Sequence, residues 1–269
     1  MNSKEWALIV IIALIIIVCG AYAYVNGSLT GGVPAGNQTI TVLAGAGFLH
    51  VTNDLKTEFE KEHPGVTVNV KNGGSGELFG ILATQKSADV FLPADYKYME
   101  DAVNDGYIQN DTVKNITKNI PVIAVQKGNP KNITSLYDLQ KLGVKVALGD
   151  PSGPAIGKTS AKLLNKTGIN STVQANVVVK TTTVNQLLTY LVTGQVDATI
   201  IWQDMSTWPE GQGKIEVIQI PKNETIISTV PIAVTVFSQH SSTAKAFEEF
   251  ATGPQGMAIW EKWGFKPIS

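Results

Sequence analysis

VTVNVKNGGSGELFGILATQKSADVFLPAD, residues 66–95, passes through strand, turn, helix and strand again within thirty residues. Val66–Val70 is a short apolar run of strand type. Gly73-Gly74-Ser75-Gly76 is a turn whose backbone can approach a ligand closely. Leu78, Phe79, Ile81 and Leu82 then open a helical apolar pattern that runs to about Gln85. Ala88–Leu92 is the next strand, and Pro93-Ala94-Asp95 opens another helix with Asp95 as its N-cap. A small-residue turn between strand and helix leaves N–H groups without intrahelical acceptors, at the positive end of the helix dipole. That arrangement suits an anion. One such turn is only a turn; its recurrence gives it weight.

Upstream, Thr39–Leu43 is a buried-type strand, Ala44–Gly47 a small-residue turn, and Phe48–His63 a helix carrying Leu49, Val51, Leu55 and Phe59, stopped by Pro64-Gly65. Downstream, Val144–Leu148 leads into Gly149–Gly157 and a helix over Lys158–Leu164. Val177–Lys180 leads into Thr181–Thr183 and a helix with Val184, Leu187, Leu188 and Leu191 on one face. Leu136–Leu142 reads as a short helix, Ala198–Trp202 and Ile215–Ile220 as strands, and Ser242–Trp263 as two helices closing the first domain. The alternation predicts a parallel, doubly wound α/β architecture, whose ligands bind at the carboxyl ends of the strands. Two long apolar strands, Ile120–Gln126 and Val230–Phe237, suit a two-strand hinge between two lobes. The expected division is residues 39–119 with 231–269 for lobe I and 120–230 for lobe II. Four turns (Ala44–Gly47, Gly73–Gly76, Ser152–Gly157, Thr181–Thr183) would then face one cleft. They are rich in Gly, Ser and Thr and largely lack fixed positive charge, which fits a desolvated anion held by neutral donors.

Composition narrows the function classes. The net charge is -1 and there is no basic block, which disfavours nucleic-acid binding. Three histidines (His50, His63, His240) and the single Cys19 supply no zinc cluster and little for a nucleophile relay. Lys4 precedes an uncharged apolar run from Trp6 to about Tyr24, so residues 1–25 read as a signal peptide or membrane anchor. Ala21-Tyr22-Ala23 suits cleavage; Cys19-Gly20 resembles a lipoprotein attachment site, with a large Val18 before it; retention is the third fate. Each places Asn26 onward outside the cytoplasm, beginning with a flexible linker over 26–38. Sequons at Asn26, Asn37, Asn110, Asn115, Asn132, Asn165, Asn170 and Asn223 agree with export and allow a glycoprotein.

Ser152-Gly153-Pro154-Ala155-Ile156-Gly157-Lys158-Thr159 approaches a Walker A loop, with Asp204 after a strand as a Walker B counterpart. Ser152 stands where the first glycine belongs, and Pro154 removes an N–H that would face a phosphate. A nucleotide hydrolase dependent on Lys158 is therefore the lesser alternative. A sensor or adhesion ectodomain on the same fold is a third.

The ordered set TVLAGAGFL (41–49), GGSGELFGILATQKSADVFLPAD (73–95), VKVALGDPSGPAIGK (144–158), TTTVNQLLTYLVTGQVDATIIWQD (181–204) and GPQGMAIWEKWGF (253–265) resembles the substrate-binding proteins of molybdate and tungstate ABC transporters (ModA-type). The resemblance implies a two-lobe, type II periplasmic-binding-protein fold, a monomer without cofactor or enzymatic activity, that captures a tetrahedral oxyanion for a membrane permease. It carries the GGSG serine onto Ser75, by side chain and N–H. The family's first-turn serine has no match; Gly47 or Phe48 stands there with only backbone to offer. Second-lobe donors fall at Ala155 or Ile156, and at Val184 with Thr183 beside it. Trp202 occupies the tyrosine position and can offer an indole N–H. Some archaeal relatives add carboxylates to the metal, and the chain is similar to that branch at Asp150, which resembles their aspartate, although no matching glutamate is evident. Asp150 can equally cap the turn before Pro151, and Trp202 can equally be core packing. Sulfate or phosphate are the other oxyanions the same plan would admit.

Overall fold

The computed structural model describes residues 37–266 and Ile268; the expected leader, the linker through residue 36 and the sequon at Asn26 lie outside the described residues. Among the described residues no helix is long and apolar enough to cross a membrane.

β1 (Gln38–Gly45) carries an unbroken buried apolar run over Val42–Ala44, and it pairs in parallel on both sides, with β2 (Val66–Gly73) and β3 (Val90–Leu92). Strands buried on both faces are expected to read as unbroken apolar runs. The first sheet has the order β2-β1-β3-β10-β4, with β4 at Lys114–Asn119 and β10 at Ser228–Val234. The second has the order β7-β6-β8-β5-β9, from β5 (Pro121–Gln126), β6 (Val146–Gly149), β7 (Val177–Thr181), β8 (Ala198–Trp202) and β9 (Ile215–Gln219).

Both sheets are mixed rather than wholly parallel. β10 runs antiparallel to β3 and β4, and β5 antiparallel to β8 and β9. These are the two long apolar strands expected at the hinge. Each enters its sheet directly from the other one, without a helical crossover to reverse its direction, so it lies antiparallel to its neighbours. The chain leaves the first sheet after Asn119 and is back in it by Ser228.

Helices α1 (Leu49–Glu62), α2 (Ser75–Gln85) and α3 (Tyr96–Asn104) follow β1, β2 and β3. In the second half, α4 (Ala155–Lys166) and the one-turn α5 (Asn170–Gln174) follow β6, and α6 (Val184–Val192) follows β7. At the carboxyl end, α7 (Ser241–Thr252) and α8 (Pro254–Lys262) pack on α1. Phe48 is fully buried there, edge-on to Trp260 at 5.2 Å and to Phe265 at 5.7 Å. Burying each of these rings is worth about 1.5–3 kcal/mol. The last helices thus anchor the start of α1.

Candidate functional site

Three helices begin at one place. Ser75 is the first residue of α2, Ala155 and Ile156 are the first two of α4, and Val184 is the first of α6. All four line a single small cavity, with Gly47 from the short 3-10 turn before α1 and Trp202 from the end of β8. The sequence explains why the helices start where they do. Gly74 and Pro154 take extended N-cap conformations. Thr183 forms a capping box with Gln186. Pro154 shifts the start of α4 to Ala155, ahead of the Lys158 expected. The N–H groups of the opening residues, Ser75, Ala155, Ile156 and Val184, fall where an α-helix offers no intrahelical acceptor, at the positive dipole ends beside the cavity, whereas Gly76 N–H is taken by the Gly153 carbonyl.

The Ser75 hydroxyl is oriented by its neighbours. Ala94 N–H donates to Ser75 Oγ at 3.0 Å, and the Ala94 carbonyl accepts from the buried Asn119 side chain at 2.7 Å. With an acceptor lone pair engaged by Ala94, which itself lines the cavity, the hydroxyl hydrogen is left to donate. Trp202 is 1% exposed. A Cβ placed at Gly47 would sit 3.2 Å from Trp202 Cδ1 and 3.7 Å from Nε1, so the indole edge lies directly over the first turn.

No charged side chain lines the cavity. The cavity is small, about 10 Å³ and on the scale of one water molecule, so it is closed to an organic molecule. A larger hollow of about 650 Å³ lies against β10 and α7, bordered by Lys114, Lys245, Glu248 and Glu249. It shares no residue with the helix starts, and the convergence of oriented donors, not size, identifies the candidate site.

Of the residues singled out in the sequence, Gly47, Ser75, Ala155, Ile156, Val184 and Trp202 come together around this cavity. Phe48 does not: it is packed into the aromatic core. Thr183 caps α6, its hydroxyl accepting from Gln186 N–H, and stands outside the lining. Asp150 also stands outside. Its Oδ1 accepts from Ser152 Oγ at 2.6 Å and from Ser152 N–H at 2.8 Å, and these bonds hold the carboxyl below its ordinary range. It caps the turn. Ala94 and Asn119 were not legible as site residues: one acts through its backbone, and the other lies on a strand, KNITKN, with a single apolar residue.

The Walker-like stretch has a different explanation. A Cβ at Gly157 would fall 2.1 Å from the Asp150 carbonyl oxygen, so this glycine lets α4 lie against the end of β6. Lys158 Nζ lies 4.0 Å above the ring of Tyr98 on α3, not beside a phosphate-binding loop.

A two-sheet α/β molecule with a donor-lined cavity at the starts of helices from both halves is the architecture of a solute trap. The chain belongs to the bacterial extracellular solute-binding protein family, whose model matches residues 40–266. It is 30% identical to a Haemophilus influenzae binding protein over 83% of this chain and 89% of that one. It is 28% identical to the molybdate-binding protein ModA of Mycobacterium tuberculosis over 93% of this chain and 92% of that one. Its fold matches the sulfate-binding protein SubI of M. tuberculosis with a TM-score of 0.76 and 23% identity, over 86% of this chain and 88% of that one.

Proposed function

We propose that the cavity binds one fully deprotonated tetrahedral oxyanion, molybdate or tungstate, and that the protein is not an enzyme but delivers the ion to an ABC-transporter permease. The observation that carries this reading is the convergence of three helix starts and the oriented Ser75 hydroxyl on a cavity without charged side chains. Ser75, the backbone of Gly47, Ala155, Ile156 and Val184, and the Trp202 indole supply donors. A protonated phosphate would also need an acceptor, and no carboxylate lines the cavity. The Mycobacterium ModA relative, named for molybdate, supports the larger oxyanions; the likeness to SubI keeps sulfate as the second reading. With Asp150 tied to Ser152, hydrogen bonding is favoured over carboxylate coordination of the metal. The protein acts outside the cytoplasm as a monomer, held at or released from the membrane by its amino-terminal segment.

Calorimetric titration of the full chain with molybdate, tungstate, sulfate and phosphate tests this. Tight binding of molybdate or tungstate, weakened about 10- to 100-fold by Ser75→Ala, is the expected result. Binding of sulfate or phosphate in preference to both would overturn the ligand assignment.

A further inference from the structure

The two halves of the molecule touch beside the cavity through Gly76, Tyr98, Gly153 and Lys158, none of which lines it. The Gly153 carbonyl, in the turn before α4, accepts two hydrogen bonds from the other half: from Gly76 N–H at 3.0 Å and from Tyr98 O–H at 3.0 Å. Both lone pairs of that oxygen are then engaged. Lys158, one turn into the same helix, places its ammonium 4.0 Å over the Tyr98 ring, well within cation–π range. Tyr98 is 4% exposed, so its ring and hydroxyl are largely shielded from water, while Lys158 is half-buried. The glycines of the GGSG turn belong to the same contact. A Cβ at Gly76 would fall 2.7 Å from the Gly153 oxygen, and one at Gly74 would fall 2.6 Å from the Thr182 oxygen. Two of the three glycines that suggested a ligand-cradling loop are therefore required by the backbone of the opposing half.

We propose that Tyr98 and Lys158 form a latch across the cleft that sets how long a bound oxyanion is retained. Resting on the solute-trap reading above, the latch pins the Gly153 turn, and with it the donor-bearing start of α4, against the start of α2. Its partners come from opposite halves, so it exists only while the cleft is shut. It includes no ligand contact, so it acts as a positioning device and not as part of the binding shell. Burial, then the nearby Asp95 and Asp101 carboxylates, push the Tyr98 phenol up to about 12, so it remains a neutral donor throughout the physiological range.

The test is stopped-flow measurement of tungstate association and dissociation on the full chain, wild type against Tyr98→Phe and Lys158→Met. Tyr98→Phe removes the hydroxyl and keeps the ring; Lys158→Met removes the charge and keeps the length. Each is expected to speed dissociation about fivefold while association stays within twofold, a split that a general loss of folded structure would not give. Unchanged dissociation in both variants overturns the latch. If the wild type takes up no oxyanion, the solute reading fails instead, and small-angle X-ray scattering judges the latch alone. A larger radius for Tyr98→Phe than for wild type supports it, and equal radii overturn it.

Discussion

Asp204 shows how far a single residue can be read from sequence. Its place after the apolar strand Ala198–Trp202 allowed a Walker B reading, but the structure buries it beside the β4–β5 crossover. Its Oδ2 finds no partner among the described residues. Burial alone pushes the carboxyl well above its ordinary range. An acid raised in the folded state favours folding most below its unfolded pKa, and that contribution is lost as pH rises through the folded value. Asp204→Asn is therefore expected to raise the melting temperature at neutral pH, by about 2–4 °C for each kcal/mol recovered, with little effect near pH 4. Thermal scans of both proteins across pH 4–8 check this; an equal shift at every pH would contradict the linkage. That Ser75 and Trp202 line the cavity could be anticipated, Ser75 from its local GGSG turn and Trp202 from the family resemblance. Ala94 and Asn119 could not be, because what matters is a backbone N–H and a long-range amide contact.

Among elements, the strand-to-helix units were legible because apolar runs and small-residue turns alternate with little ambiguity. The start of α4 was misplaced by three residues because Pro154 is both a poor phosphate-loop residue and a good residue for ending the turn. The antiparallel placement of β5 and β10 was not legible, since direction depends on how the chain crosses between sheets and not on composition. The glycines also carried two meanings that only packing separates. Gly157 is there for the approach of α4 to β6. Gly157→Ala is expected to cost about 1–3 kcal/mol, because its Cβ cannot fit beside the Asp150 carbonyl without moving the helix. Urea unfolding measures this, and a variant as stable as the wild type would show that α4 can shift freely.

At the scale of the whole molecule, the chain passes once between the two sheets in each direction, after β4 and after β9, and helix starts from both halves meet at one cavity. Under the proposed function, a ligand held there would be contacted from both sides at once, which would couple binding to closure and offer oriented dipoles to an anion. The expected leader and the linker through residue 36 lie outside the described residues, Gln38 at the expected linker's end already belongs to β1, and export is part of the proposal. The proposed function puts one oxyanion between the two halves at the starts of α2, α4 and α6. Crystals of the full chain grown with tungstate, measured at the tungsten absorption edge, test it most directly. One strong anomalous peak is expected within hydrogen-bonding reach of Ser75, Ile156 and the Trp202 indole. A peak elsewhere, in the hollow against β10 and α7 or beside Lys158, would contradict it.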